Sequence, residues 1–154
     1  RKASIHHHFP SKLDLMVELV RRYRNDLEAG LAAMEQSTSS PLEQLRRYAE
    51  TWQACIADNS MPFCLGALLA SELPALPPRL ATEVQPHFRV LSDWLTKVIE
   101  HGTRSGELNA PAGARGAAET FMAVVHGAML SARAYGTPET FGHIVMPLLD
   151  RMRA

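Results

Sequence analysis

Two cysteines and seven histidines are the side chains of this 154-residue sequence best suited to covalent chemistry, proton transfer or metal binding. Cys64 stands in Pro62-Phe63-Cys64-Leu65-Gly66, at the start of a short apolar segment. A thiol near a helix N-terminus is favoured as thiolate, and a thiolate reacts with electrophiles and oxidants. The other reading of Cys64 is a packed cysteine behaving as a small hydrophobe, and Cys55 has less still to mark it as reactive. His6, His7 and His8 are adjacent. On a helix such neighbours point about 100° apart, so one ion could not take all three, and no metal site is expected. His126 shares an apolar face with Met122, Val125 and Met129, where a satisfied core histidine and a ligand-orienting group are both reasonable. No Glu-x-x-His pair, Ser-His-Asp set or glycine-rich phosphate loop can be assembled, so neither a catalytic centre nor a cofactor is expected.

The elements that must position these residues are helical. Apolar residues recur at spacings of three and four nearly throughout, and almost nowhere at two, which predicts an all-α fold of five long helices and two short ones. Pro10 ends a first fragment at Phe9, and Ser11 caps the next helix. There Leu15, Leu19, Tyr23 and Leu27, flanked by Met16, Val20 and Leu31, form one stripe expected to face inward along the whole length. Ser40-Pro41-Leu42-Glu43 combines an N-cap, a proline at the first helical position and a capping-box glutamate. The helix it opens should bury Leu45, Tyr48, Trp52, Cys55 and Ile56. Phe63 to Leu73 is apolar on nearly every side, which predicts a short helix buried at the domain centre. Pro77-Pro78 starts another helix, which Pro86 should kink or split. The last two run from Pro111 to Tyr135 and from Thr137 to Arg153, with Gly136 as the turn.

Two surfaces follow from these helices. Trp52, Phe63, Cys64, Leu68, Trp94, Met122, His126 and Met129 are expected to converge on an apolar cavity for a small molecule, with ordinary core packing as the alternative. Thr120, Ala123, Val124, Gly127 and Ser131 make a strip of small residues that lets another helix approach closely. Phe141, Ile144, Val145, Leu148, Leu149 and Met152 form a stripe that needs a partner, and together the two predict a two-fold homodimer interface.

Acidic and basic residues balance at sixteen each, yet the first 24 residues carry six basic and two acidic side chains, so this end is electropositive. Two cysteines are too few for a disulfide framework, which favours a cytoplasmic protein. No apolar stretch approaches the length of a membrane span.

Residues 1–15, Arg-Lys-Ala-Ser-Ile-His-His-His-Phe-Pro-Ser-Lys-Leu-Asp-Leu, resemble the stretch of TetR-family transcriptional regulators in which the DNA-reading helix ends and the regulatory domain begins. Ala3, Ser4, Ile5, His8, Phe9, Pro10, Ser11, Lys12 and Leu15 fit that pattern, whereas His6 stands where tyrosine is usual and Leu13 where glutamate is common. The resemblance implies that residues 1–10 end a helix-turn-helix DNA-binding domain, whose earlier helices would precede Arg1. Residues 11–154 would then be a ligand-binding and dimerisation domain. Lys2, Ser4, His6 and His7 would face the DNA groove, and Lys12 would contact phosphate at a helix start, where free backbone amides also favour an anion. The implied function is a non-enzymatic repressor, bound to duplex operator DNA as a homodimer and released by a small apolar or electrophilic effector. Some electrophile-sensing members resemble the Cys64 stretch. A helical-bundle enzyme or carrier of small apolar molecules is the alternative, and an interaction scaffold a third.

Overall fold

The computed structural model describes residues 9–61 and 63–154, so the DNA-facing positions expected at Lys2, Ser4, His6 and His7 lie outside the described residues. The fold is all-α. Its helices are α1 (Lys12–Ser37), α2 (Pro41–Ala57), α3 (Leu65–Ser71), α4 (Pro78–Ala81), α5 (Val84–Ser105), α6 (Ala114–Tyr135) and α7 (Glu139–Met152), with one 3-10 turn at Leu73–Ala75.

Caps fix where the chain turns. The Ser11 hydroxyl accepts the Asp14 amide at 3.1 Å and donates to the Asp14 carboxylate at 2.6 Å. Ser40 accepts the Glu43 amide at 3.2 Å, but the reciprocal half of the expected capping box does not form. Glu43 turns instead to Arg47 at 3.0 Å, and the Ser40 amide donates to the Thr38 hydroxyl. The break expected at Pro86 falls earlier, at Thr82 and Glu83. Pro86 occupies the first turn of α5, where its missing N–H would have had no helical acceptor. Gly106 and Gly136 end α5 and α6 in the left-handed conformation that favours glycine. Beyond α7 the chain returns to the loop after α5, where Leu108 and Arg153 form a single bridge and the Asn109 amide donates to the Met152 carbonyl at 2.7 Å.

The large core lies among α2, α5, α6 and α7 and is built on Leu45, Tyr48, Leu95, Ile99, Phe121, Val125, Phe141 and Val145. Tyr48 packs against Trp94 and Phe121, with ring centroids 5.8 and 6.3 Å apart. A second, small cluster joins Val17 and Val20 of α1 to Leu80 of α4, flanked by Leu65 and Leu69 of α3.

Two expectations change here. The inward stripe of α1 is Val17, Val20, Leu27 and Leu31, whereas Leu19 is 52% exposed because this helix crosses the rest of the molecule on a different face. The short helix α3 is not central. Only Gly66 within it is buried, and Leu68 and Leu73 face outward, because α3 caps the junction of α1 and α5 instead of threading the bundle.

Candidate functional site

Between α1 and α2 opens an apolar pocket of about 250 Å³, lined by Tyr23, Leu27, Leu31 and Met34 on one side and Tyr48, Trp52 and Cys55 on the other, with Met61 beyond α2. Asp26 and Thr51 are the polar side chains at its rim, and Gly30 leaves open space where a side chain would otherwise project. Of the eight residues expected to line a cavity, Trp52 lines this one. Cys55, expected in the core, is only half-buried and takes part in the pocket wall.

Tyr23 is also the wall shared with a buried polar cluster. Its ring stacks on His87 at 5.3 Å, and its hydroxyl accepts the Leu65 amide at 3.4 Å. His87 Nε2 lies 3.5 Å from Cys64 Sγ, while its Nδ1 has no hydrogen-bond partner among the described residues. Glycine is required at position 66 because a Cβ there would fall on the His87 ring. The cluster continues through Phe88, edge-on to His87 at 5.9 Å, to His126 at 5.6 Å from Phe88.

The electrostatics of the cluster are set by burial. Cys64 caps the start of α3, and the Gly66 and Ala67 amides and the Tyr23 hydroxyl favour its thiolate, but desolvation is the larger effect and pushes the thiol upward. The thiolate expected from a helix-end dipole is therefore not the resting form. Burial, then the nearby His126 and Arg24, push His87 down to about 4, and burial also lowers His126. Both imidazoles are neutral at neutral pH. The Tyr23 and Tyr48 hydroxyls are pushed upward by burial first and by Cys64 second.

The other expected lining residues are dispersed. Met122 and Met129 are buried in the large core, and Leu68 is 39% exposed on the outer face of α3. Phe63 is half-buried beneath the Arg133 guanidinium, 5.9 Å from its ring centroid. Trp94 packs on Tyr48, and its Nε1 is buried without a partner among the described residues. His87 belongs to no motif in the sequence, although its spacing from Val84, Leu91, Trp94 and Leu95 places it on the buried stripe of α5. No group of three or more histidine, cysteine or acidic side chains is placed to hold a metal among the described residues.

The surface expected to pair two copies divides in two. Phe141, Val145, Leu149 and Met152 are buried within the protomer, because α7 closes onto α2 and α6, and so cannot face a partner. Ala123, Gly127 and Leu130 of α6 face outward with the half-buried Val124 and Ser131, while Ile144 and Leu148 of α7 are half-buried beside them. Lys12 begins α1 and is exposed.

No curated protein matches the chain. Residues 41–146 match the family described as tetracyclin repressor-like, C-terminal domain. Among solved structures, a TetR-family transcriptional regulator from Agrobacterium tumefaciens is 58% identical, with a TM-score of 0.96 over 100% of this chain and 81% of that one. A TetR transcriptional regulator from Legionella pneumophila is 24% identical, with a TM-score of 0.86 over 99% of this chain and 80% of that one. The reduced form of Escherichia coli NemR, 19% identical, shares the fold with a TM-score of 0.84 over 100% of this chain and 81% of that one. With the family match spanning α2 to α7 and so close a relative over its full length, the chain belongs to the TetR family of transcriptional regulators.

Proposed function

We propose that the protein is a cytoplasmic repressor that binds operator DNA as a homodimer and leaves it when a small apolar or electrophilic molecule enters the regulatory domain. The observation that carries this reading is the pocket between α1 and α2, because α1 is the helix that runs directly on from the Phe9-Pro10 turn. A ligand that binds only one separation of α1 and α2 shifts the population toward it, and a tilt of α1 changes the distance between two DNA-reading heads. Residues 1–10 would belong to the head and residues 11–154 to the sensor. His126 does not line this pocket, so a polar group on the ligand would meet Asp26 or Thr51 instead.

Pairing would use the outward face of α6, Ala123, Gly127, Leu130 and Ser131, bordered by Ile144 and Leu148 of α7. A family interface of this kind buries on the order of 2,000 Å² in total. Lys12 would contact phosphate at the start of α1.

The deciding experiment is a titration of the protein extended by its DNA-binding helices onto its own promoter DNA, with and without small apolar and electrophilic compounds. Salt-sensitive binding that one of these compounds reverses is the expected result, with Lys12→Ala weakening affinity equally on all sequences. Binding that no such compound alters, or a monomer in sedimentation at micromolar concentration, would sink the reading.

A further inference from the structure

Cys64 Sγ meets the His87 ring in the interior, and burying a polar ring with one nitrogen unpartnered among the described residues opposes folding. We propose that His87 is the general base for covalent capture of an α,β-unsaturated carbonyl compound by Cys64. This inference rests on the electrophile branch of the function proposed above and supplies its chemistry.

The distances suit the task. Sγ lies 3.5 Å from Nε2, within reach for a thiol proton, and with the ring proton on Nδ1 the Nε2 lone pair is the acceptor. The Tyr23 ring holds the imidazole flat against α1, and Gly66 leaves the space the ring occupies. Tyr23 also lines the apolar pocket, so one side chain belongs both to the pocket wall and to the cluster around the thiol. In the reaction Sγ bonds the β-carbon as the thiol proton passes to Nε2. The carbon–carbon π pair moves onto the α-carbon as an enolate, and the imidazolium returns the proton there. The product is a thioether, nothing is oxidised or reduced, and no further reactant is needed.

The same burial that raises the thiol keeps the base free. The groups around His87 are Tyr23 and Arg24 from α1, Cys64 before α3 and His126 from α6; apart from the thiol, none supplies a negative charge that would hold the imidazole protonated. Capture therefore proceeds from a neutral thiol and a neutral imidazole, and its rate should not follow thiol ionisation.

N-ethylmaleimide is a suitable probe, with modification of Cys64 and Cys55 followed separately by peptide mass mapping between pH 5.5 and 8. The Cys64 rate is expected to be flat over this range, whereas a thiol that reacts only after ionising gains about tenfold per pH unit. In His87→Gln the Cys64 rate at pH 6 should fall about 100-fold and acquire that same slope. An unreactive Cys64, a tenfold-per-unit slope at Cys64 in the unaltered protein, or an unchanged rate in a folded His87→Gln would each overturn the proposal. The slope in the unaltered protein decides the matter even if the variant fails to fold. Fast, His87-dependent modification that leaves DNA bound would instead overturn the electrophile-sensing function and leave this chemistry standing.

Discussion

The two ends of the molecule are held together by different physics. Around α2, α5, α6 and α7, aromatic and branched side chains such as Phe121, Phe141, Leu95 and Ile99 are almost wholly removed from water and make one continuous core. At the other end the first half of α1 meets α3 and α4 through a smaller cluster in which Val17, Val20 and Leu80 are buried and Leu13, Met16, Leu65, Leu69 and Leu76 partly so, with charged side chains along the seam. Arg21 and Arg24 both pair with Glu83, at 2.7 and 3.1 Å, and Arg79 pairs with Asp14 at 2.6 Å. A core of many interlocking side chains resists deformation more than a small, partly buried cluster bordered by ion pairs in which Arg21 and Arg79 are about half exposed. The weak end carries the helix that leads toward the amino terminus, whereas the pocket between α1 and α2 lies along the second half of that helix, against the strong core.

The largest effect should come from the strong end. Phe121→Ala removes a fully buried ring from the centre of the core, and a loss of about 3–5 kcal/mol in global unfolding free energy is expected. Denaturant melts would measure it. A loss under about 1 kcal/mol would mean that α5, α6 and α7 do not form the rigid body described.

Leu80→Ala tests the weak end and should cost less globally, about 2–3 kcal/mol. Its distinctive signature is spatial. Amide exchange should accelerate in α3, α4 and the first half of α1 while α5 to α7 stay protected, since regions with few buried contacts open separately. Uniform acceleration along the chain would erase the distinction between the two ends.

The strong end was also the more legible in the sequence. Leu45, Tyr48 and Trp52, and likewise Leu91, Leu95 and Val98, repeat at helical spacing because each faces one large core, and the Ser40-Pro41 start and Gly136 turn are local chemistry that no tertiary contact overrides. Periodicity failed where a helix has two kinds of neighbour. The α1 stripe drawn through Leu19 missed Val17 because the helix meets different partners at its two halves. The stripe on α7 reads as a surface for a second copy, yet Phe141 and Val145 are buried within the protomer, where α7 packs on α2 and α6. The Cys64 cluster was half-legible. The thiol stood out, but its histidine lies 23 residues away on another helix, and only the glycine at 66 hints that a ring must pass there.

Acid should reach the junction between the two ends before it reaches the core. His87 is pushed down to about 4 in the folded state against an ordinary value of 6.5, so the unfolded chain binds the extra proton first. The stability that a neutral His87 represents is fully present above about 6.5 and is lost progressively as pH falls toward 4, by on the order of 3 kcal/mol. Thermal melts from pH 7 to 4.5 should show this slope, and His87→Gln should flatten it. An equally steep decline in a folded variant would place the acid sensitivity elsewhere.

The smallest effect belongs to Glu83, and its smallness is the point. Its carboxylate receives Arg21 and Arg24, and these partners hold it below the usual carboxylate range, Arg21 contributing most. The Arg21 side chain is nonetheless 48% exposed, so water and salt screen much of that attraction. Glu83→Gln should therefore lower global stability by less than about 1 kcal/mol, and the difference from the unaltered protein should shrink between 0.05 and 1 M salt, where screening falls to about 3 Å. What it should change is local. Without the carboxylate, Arg21 and Arg24 repel each other across one turn of α1, and exchange of the amides from Lys12 to Arg24 should quicken at low salt while the α6 amides do not respond. A loss of several kcal/mol that persists in 1 M salt would show that Glu83 is a structural member of the core, and the weak end would then be as firmly held as the strong one.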